Sequence, residues 1–92
     1  MINVSVTNSD IDDAFVKVWD ENLPGFVDIG TTPPIFDARV NGNQSSPQFQ
    51  IQEDGTGCGN IHWRATNAND PTRQQEGDKR PAPGEQVAVS AG

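Results

Sequence analysis

The chain is poor in the residues that usually reveal a protein's chemistry. One cysteine in 92 residues excludes an internal disulfide and a cysteine-rich metal site. Six Lys and Arg stand against thirteen Asp and Glu, a formal charge of -7. So few cations exclude a generic binder of nucleic acid or anionic membrane, which needs clustered positive charge. No apolar run approaches the roughly 20 residues of a membrane-spanning helix. Hydrophobic residues make up 33% of the chain and mean hydropathy is -0.64. That is low for a globular domain, but not low enough to force disorder. Met1 to Ser5 shows neither the basic stretch nor the apolar stretch of a secretion signal. The expected location is therefore the cytoplasm, or outside the cell by a route that leaves no mark in the sequence.

What is present is an alternation with period two. Ile2, Val4 and Val6 alternate with polar residues, and so do Phe36, Ala38 and Val40; Phe49 and Ile51; Ile61, Trp63 and Ala65; and Val87 and Val89. Each run has one apolar and one wet face, as in a half-buried strand. Ala14 to Asp20 and Phe26 to Ile29 add two less regular candidates. No stretch keeps an apolar face at helical spacing. Seven Pro and nine Gly punctuate the chain at strand-sized intervals. The pattern predicts one all-β domain over 1–92, a small antiparallel β-sandwich of about seven strands, with a small β-barrel as the alternative. The expected core is Ile2, Val4, Val6, Val16, Val18, Ile29, Phe36, Val40, Phe49, Ile51, Ile61, Trp63, Val87 and Val89. Asn41-Gly42 suits a hairpin bend. The glycines of Glu53 to Asn60 suit a hairpin joining the runs on either side.

Residues 67–85 break the pattern. Their only hydrophobic residues are two alanines, beside three prolines, and the segment reads as a long polar loop within the domain. It holds Arg73, Lys79 and Arg80, half of the chain's basic residues. Positive charge concentrated on an acidic body is a device for self-association.

Four features could carry function. In the run Phe15 to Trp19 the valines occupy one face, and Phe15, Lys17 and Trp19 the other. Either two aromatics stand on the outside as a binding platform, or they turn inward or lie beneath a loop. Arg64 on a neighbouring wet face could fork onto a carboxylate. Gln48, Gln50 and Gln52 line one strand face and offer both donors and acceptors, which suits polyols. Asp10, Asp12 and Asp13 form an acidic cluster that could supply oxygens to calcium, although the spacing matches no EF-hand loop. The glycine-rich stretch around Cys58 lacks the Gly-Lys-Ser/Thr of a phosphate loop.

No nucleophile and base are spaced to suggest catalysis, and the expectation is a protein that is not an enzyme. The leading reading is a lectin-like binding module. Its ligand-binding residues would be Phe15, Lys17, Trp19, Arg64 and Gln50, with no cofactor other than calcium at Asp10, Asp12 and Asp13. The alternative is a structural or interaction protein that self-assembles through its sheet edges or the Phe15/Trp19 face, as a homo-oligomer. The partner is thus a carbohydrate or a second copy, with no nucleic acid and no membrane span.

Overall fold

The computed structural model describes all 92 residues. It contains seven strands and no helix: β1 (Ile2–Asn8), β2 (Ala14–Asp20), β3 (Phe36–Val40), β4 (Phe49–Ile51), β5 (Ile61–Asn67), β6 (Gln74–Lys79) and β7 (Gln86–Val89). With no helix there is no helical segment long and apolar enough to cross a membrane. The strands form two sheets, one of three strands in the order β4-β1-β7 and one of four in the order β3-β2-β5-β6. The small β-sandwich read from the alternation is the observed architecture.

The core is the inner face of each alternating run. Val4, Val6, Val16, Val18, Ile51, Ile61, Val87 and Val89 are almost completely buried. Ala14, Ala65 and Ala91 join the same cluster. Phe36 and Phe49 are only half-buried; they stack at 4.8 Å on the open side of the sandwich. Beside them a shallow cleft of 270 Å³ runs between β3 and the segment from Gln44 to Pro47.

The topology departs from a simple meander. β1 pairs antiparallel with β4 and parallel with β7, through Ser5↔Gln86, Val6↔Val87, Thr7↔Ala88 and Asn8↔Val89. The first and last strands are neighbours in the smaller sheet, while β2, β3, β5 and β6 all lie in the larger one. The two expected hairpins are therefore crossings between sheets. β3 and β4 belong to different layers, and so do β4 and β5. The bend itself is there, with Gln44 N donating to Asn41 O across Gly42 and Asn43. Asn43 takes the left-handed conformation at φ 59°, whereas a Cβ at Gly42 would lie 2.0 Å from the backbone oxygen of Ile11.

Two segments differ from expectation. Phe26 to Ile29 is not a strand, and Val27 is 74% exposed. Asp28 Oδ1 accepts hydrogen bonds from Thr31 N and Oγ1, and its carbonyl accepts one from Thr32 N. That local turn supplies the partners a ladder would have offered, and it leaves Ile29 half-buried, outside the core. Residues 67–85, in contrast, are not one loop. Gln74–Lys79 pairs with β5 from Ile61↔Lys79 to Thr66↔Gln74. A strand this polar is tolerated because β6 overhangs the smaller sheet; its residues are exposed apart from a half-buried Gly77.

Polar clasps close both ends. Buried Asp20, at the end of β2, accepts a hydrogen bond from Gln52 N in the other layer at 2.8 Å and one from Asn22 N at 3.0 Å. At the opposite end, buried Asn8 of β1 donates through Nδ2 to the carbonyls of Val40 and Asp12, and its Oδ1 accepts from Asp10 N. Asn67 does the same for the turn after β5, accepting from Asn69 N and Asp70 N.

Trp63 lies across β6 at its register partner Gly77, and a Cβ there would meet the indole at 2.9 to 3.0 Å. Gly77→Val should therefore destabilise the fold by about 1–3 kcal/mol through overpacking. The control Gly55→Ala, whose Cβ would meet nothing within 4 Å, should change it by less than about 0.5 kcal/mol. Denaturant midpoints of the two variants check this; equal midpoints would show that the Trp63–Gly77 contact contributes nothing.

Candidate functional site

The outer face of the four-stranded sheet gathers most of the functional groups. Strand register sets them in rows. Arg39, Phe15, Thr66 and Gln74 form the first row, and Asp37, Lys17, Arg64 and Glu76 the second. Trp19, His62 and Asp78 form the third. Each side chain is there because it alternates with an inward one: Phe15 and Lys17 flank Val16, and Arg64 lies between Trp63 and Ala65.

The two aromatics of β2 have different fates. Trp19 is only 3% exposed. Its Nε1 donates to Thr32 O at 2.8 Å, which draws the segment between β2 and β3 over the ring. The Arg64 guanidinium covers it from the other side at 5.3 Å from the ring centroid, and His62 lies at 5.8 Å. Trp19 is thus a second, smaller core on the outer face, not a platform. Phe15 is 47% exposed, with the Arg39 guanidinium 5.7 Å from its centroid. Arg39 is held by Asp13 Oδ2, which accepts from Nη2 at 2.7 Å and from Nε at 3.1 Å. Thr66 Oγ1 donates to Gln74 Oε1 at 3.0 Å. Lys17 stands between Asp37 and Arg64 in register and makes no ion pair.

Gln50 is elsewhere. It pairs with Asn3 on the smaller sheet, and both are exposed on that sheet's outer face, on the far side of the sandwich from Phe15. The three acids proposed for calcium do not converge either. Asp10 accepts from Ser90 Oγ and Ala91 N, which ties down the C-terminus. Asp12 Oδ2 accepts from Asn67 Nδ2 and lies 3.7 Å from Arg73. Asp13 accepts from Arg39 and, through Oδ1, from Gly42 N. Those bonds, that from Arg39 foremost, hold the Asp13 carboxyl below the usual carboxylate range. No three His, Cys, Asp or Glu side chains gather as a metal site would require.

The charged half of the face centres on the chain's single histidine. His62 Nε2 lies 2.9 Å from Glu76 Oε1, and Nδ1 lies 3.0 Å from Asp78 Oδ1. Arg64 reaches the same Glu76 oxygen at 3.2 Å. Partial burial works against the imidazolium, but the hydrogen bonds and charges of the two carboxylates outweigh it and raise the His62 pKa above its ordinary 6.5. The bond from His62, joined by Arg64, lowers that of Glu76. His62, Glu76 and Asp78 were invisible as a group in the sequence, because two of them lie in the segment read as a loop.

Comparison with protein-family models, with curated proteins and with solved structures finds no match to this chain.

The linked titration gives a testable pH dependence. The raised His62 pKa stabilises the fold fully below pH 6.5, and that contribution is lost as pH rises through the folded value. The lowered Glu76 pKa stabilises above its ordinary 4.5, and that is lost as pH falls through its folded value. Proton NMR of the imidazole should show a pKa above 6.5, lowered by Glu76→Gln. Thermal midpoints should decline from pH 6.5 upward in the parent and stay flatter in His62→Gln. An imidazole titrating at or below 6.5 would contradict the geometry.

Proposed function

We propose that this chain is a non-catalytic binding module, lectin-like in its mode of recognition, that holds a carbohydrate-type ligand on the outer face of the four-stranded sheet. The observation that carries this reading is the half-exposed Phe15 ring in the end row of an otherwise polar face. The apolar C–H face of a sugar can stack on such a ring, while neighbouring groups satisfy its hydroxyls in both senses. Thr66 and Gln74 lie to one side of Phe15, and Arg39 to the other. The unpaired Lys17 favours a sugar that carries an acidic group. The ligand set thus centres on Phe15, Lys17 and Arg39, with Arg64 at its rim. Trp19 supports the face from beneath its covering segment, and Gln50 belongs to the opposite face.

A non-catalytic role is supported by how the reactive groups are used. Both ring nitrogens of His62 face carboxylates, so neither is free to move a proton for a substrate. Cys58, the one thiol, lies in the crossing between β4 and β5 and not on a strand of this face.

A glycan screen including acidic sugars, with and without calcium, tests the reading. Binding should saturate and should weaken by at least about tenfold in Phe15→Ala, the loss of about 1.4 kcal/mol of stacking. Gln50→Ala should bind as the parent does, and so should the parent with chelator. No bound glycan at high protein concentration, or full binding by Phe15→Ala, would remove the proposal.

A further inference from the structure

The β3 edge of the larger sheet carries a self-complementary code. It runs Phe36-Asp37-Ala38-Arg39-Val40 and pairs on one side only, with β2. No strand pairs with its outer edge. Ala38 points inward, opposite Val16, yet is exposed, and the 270 Å³ cleft opens beside it. An edge strand of this kind offers a row of unpaired backbone groups.

We propose that β3 pairs antiparallel with β3 of a second copy, about a two-fold axis at Ala38, and joins the two larger sheets into one of eight strands. In that register Asp37 of each copy faces Arg39 of the other, Phe36 faces Val40, and Ala38 faces Ala38. Shifting the pairing by one residue in each strand would set Asp37 on Asp37 or Arg39 on Arg39. Opposite charges directly across an antiparallel pair stabilise it and like charges oppose it, so the sequence selects a single register.

Three further observations favour this occupant. Asp37 is exposed and, although Lys17 faces it in register, makes neither a hydrogen bond nor an ion pair in the single chain, so its carboxylate is free to meet Arg39 of the second copy. Arg39 uses Nε and Nη2 on Asp13, which holds the side chain in place and leaves Nη1 for the second copy. The other sheet edges do not match. β6 would set Glu76 against Glu76 or Asp78 in its central registers, β4 has only three residues, and β7 has no charged side chain to fix a register.

A five-residue pairing is small against the area of standard stable interfaces, so the dimer is expected to be weak and dependent on concentration. It also sets the two Phe15 rings on one continuous face, roughly 15 Å apart from three strand spacings. That last consequence alone rests on the ligand reading above; the pairing does not.

Light scattering after size exclusion, from micromolar to millimolar protein, tests the pairing without any ligand. The mass should rise from 9.9 kDa toward twice that value, less steeply in high salt. Asp37→Arg alters an exposed residue that makes no ion pair; it sets a like charge opposite Lys17 on the solvent face, a small cost, so it should still fold by circular dichroism and stay monomeric throughout. Mixed with Arg39→Asp it should dimerise again, because each strand then meets its complement. If Arg39→Asp fails to fold, the contrast between parent and Asp37→Arg decides alone. A parent that stays at 9.9 kDa at millimolar concentration, or an Asp37→Arg that dimerises equally well, overturns the proposal.

Discussion

Three strands packed on four set most of what this molecule can be. Two sheets of equal width would cover each other's inner faces and leave only loops to vary. Here the larger sheet projects past the smaller one, and β6 overhangs with its residues in water. On the other side the cover is incomplete, so that Ala38 is exposed and Phe36 with Phe49 only half-buried. A domain of this size buries a modest share of its chain, and the mismatch reduces that share further. The polar clasps of Asp20 and Asn8 bridge the layers where apolar contact runs out, and both side chains are themselves buried. Buried polar groups with satisfied hydrogen bonds specify one arrangement of the layers, whereas apolar contact alone tolerates sliding.

The acid surplus has a structural reading that the composition alone conceals. Asp54 and Asp70 each accept hydrogen bonds from both N and Oγ1 of the threonine two residues on, Thr56 and Thr72. The threonine bonds, side chain first, are what hold both carboxyls below the usual range. Asp28 makes the same double contact with Thr31. Asp13 binds Arg39, and Asp54 binds Arg80, across the ends of the sandwich. The acids are turn-formers and partners for the few arginines. Local oxygen-to-N–H bonds of this kind are why Asp concentrates in turns. In a chain with short strands and many crossings they are needed in number, and negative charge accumulates with them.

Much of the fold was legible because burial imposes period two directly on the residues. Ile61 to Asn67 alternates without fault, buried at every odd position, and so was readable as a strand. The strand count agrees, but one member differs. Phe26 to Ile29 has apolar residues and no ladder, while Gln74–Lys79 has a ladder and no apolar residues. Hydrophobic alternation reports a face covered by another layer, and an overhanging strand has none. Layer assignment was beyond reach for a similar reason. The polarity of Glu53 to Asn60 is the same whether the chain turns back within a sheet or crosses to the other. What makes it a crossing is that β5 lies between β2 and β6, a pairing encoded by no local residue. The candidate site inherits the same limit. Phe15, Lys17 and Arg64 were found because they share a visible wet face, whereas their neighbours Arg39, Glu76 and Gln74 required strand order.

The burial of Trp19 shows how the two faces of the larger sheet are coupled. An aromatic on a solvent face needs either a ligand or a cover, and here the β2–β3 connection supplies the cover through one hydrogen bond from Trp19 to Thr32 O. That connection then delivers the chain into β3 through Pro33 and Pro34, which cannot donate to a ladder. β3 begins at Phe36, just after Ile35 N donates to Val18 O, and it is short enough to carry one charge of each sign. Had the connection been a tight turn, Trp19 would be bare and β3 longer, with more than one register open to a partner. The same detour that hides one aromatic leaves Phe15 as the exposed one and confines the free edge to five residues. Ligand face and edge strand are in this sense products of a single loop, and a change to its anchoring on Trp19 would be felt at both.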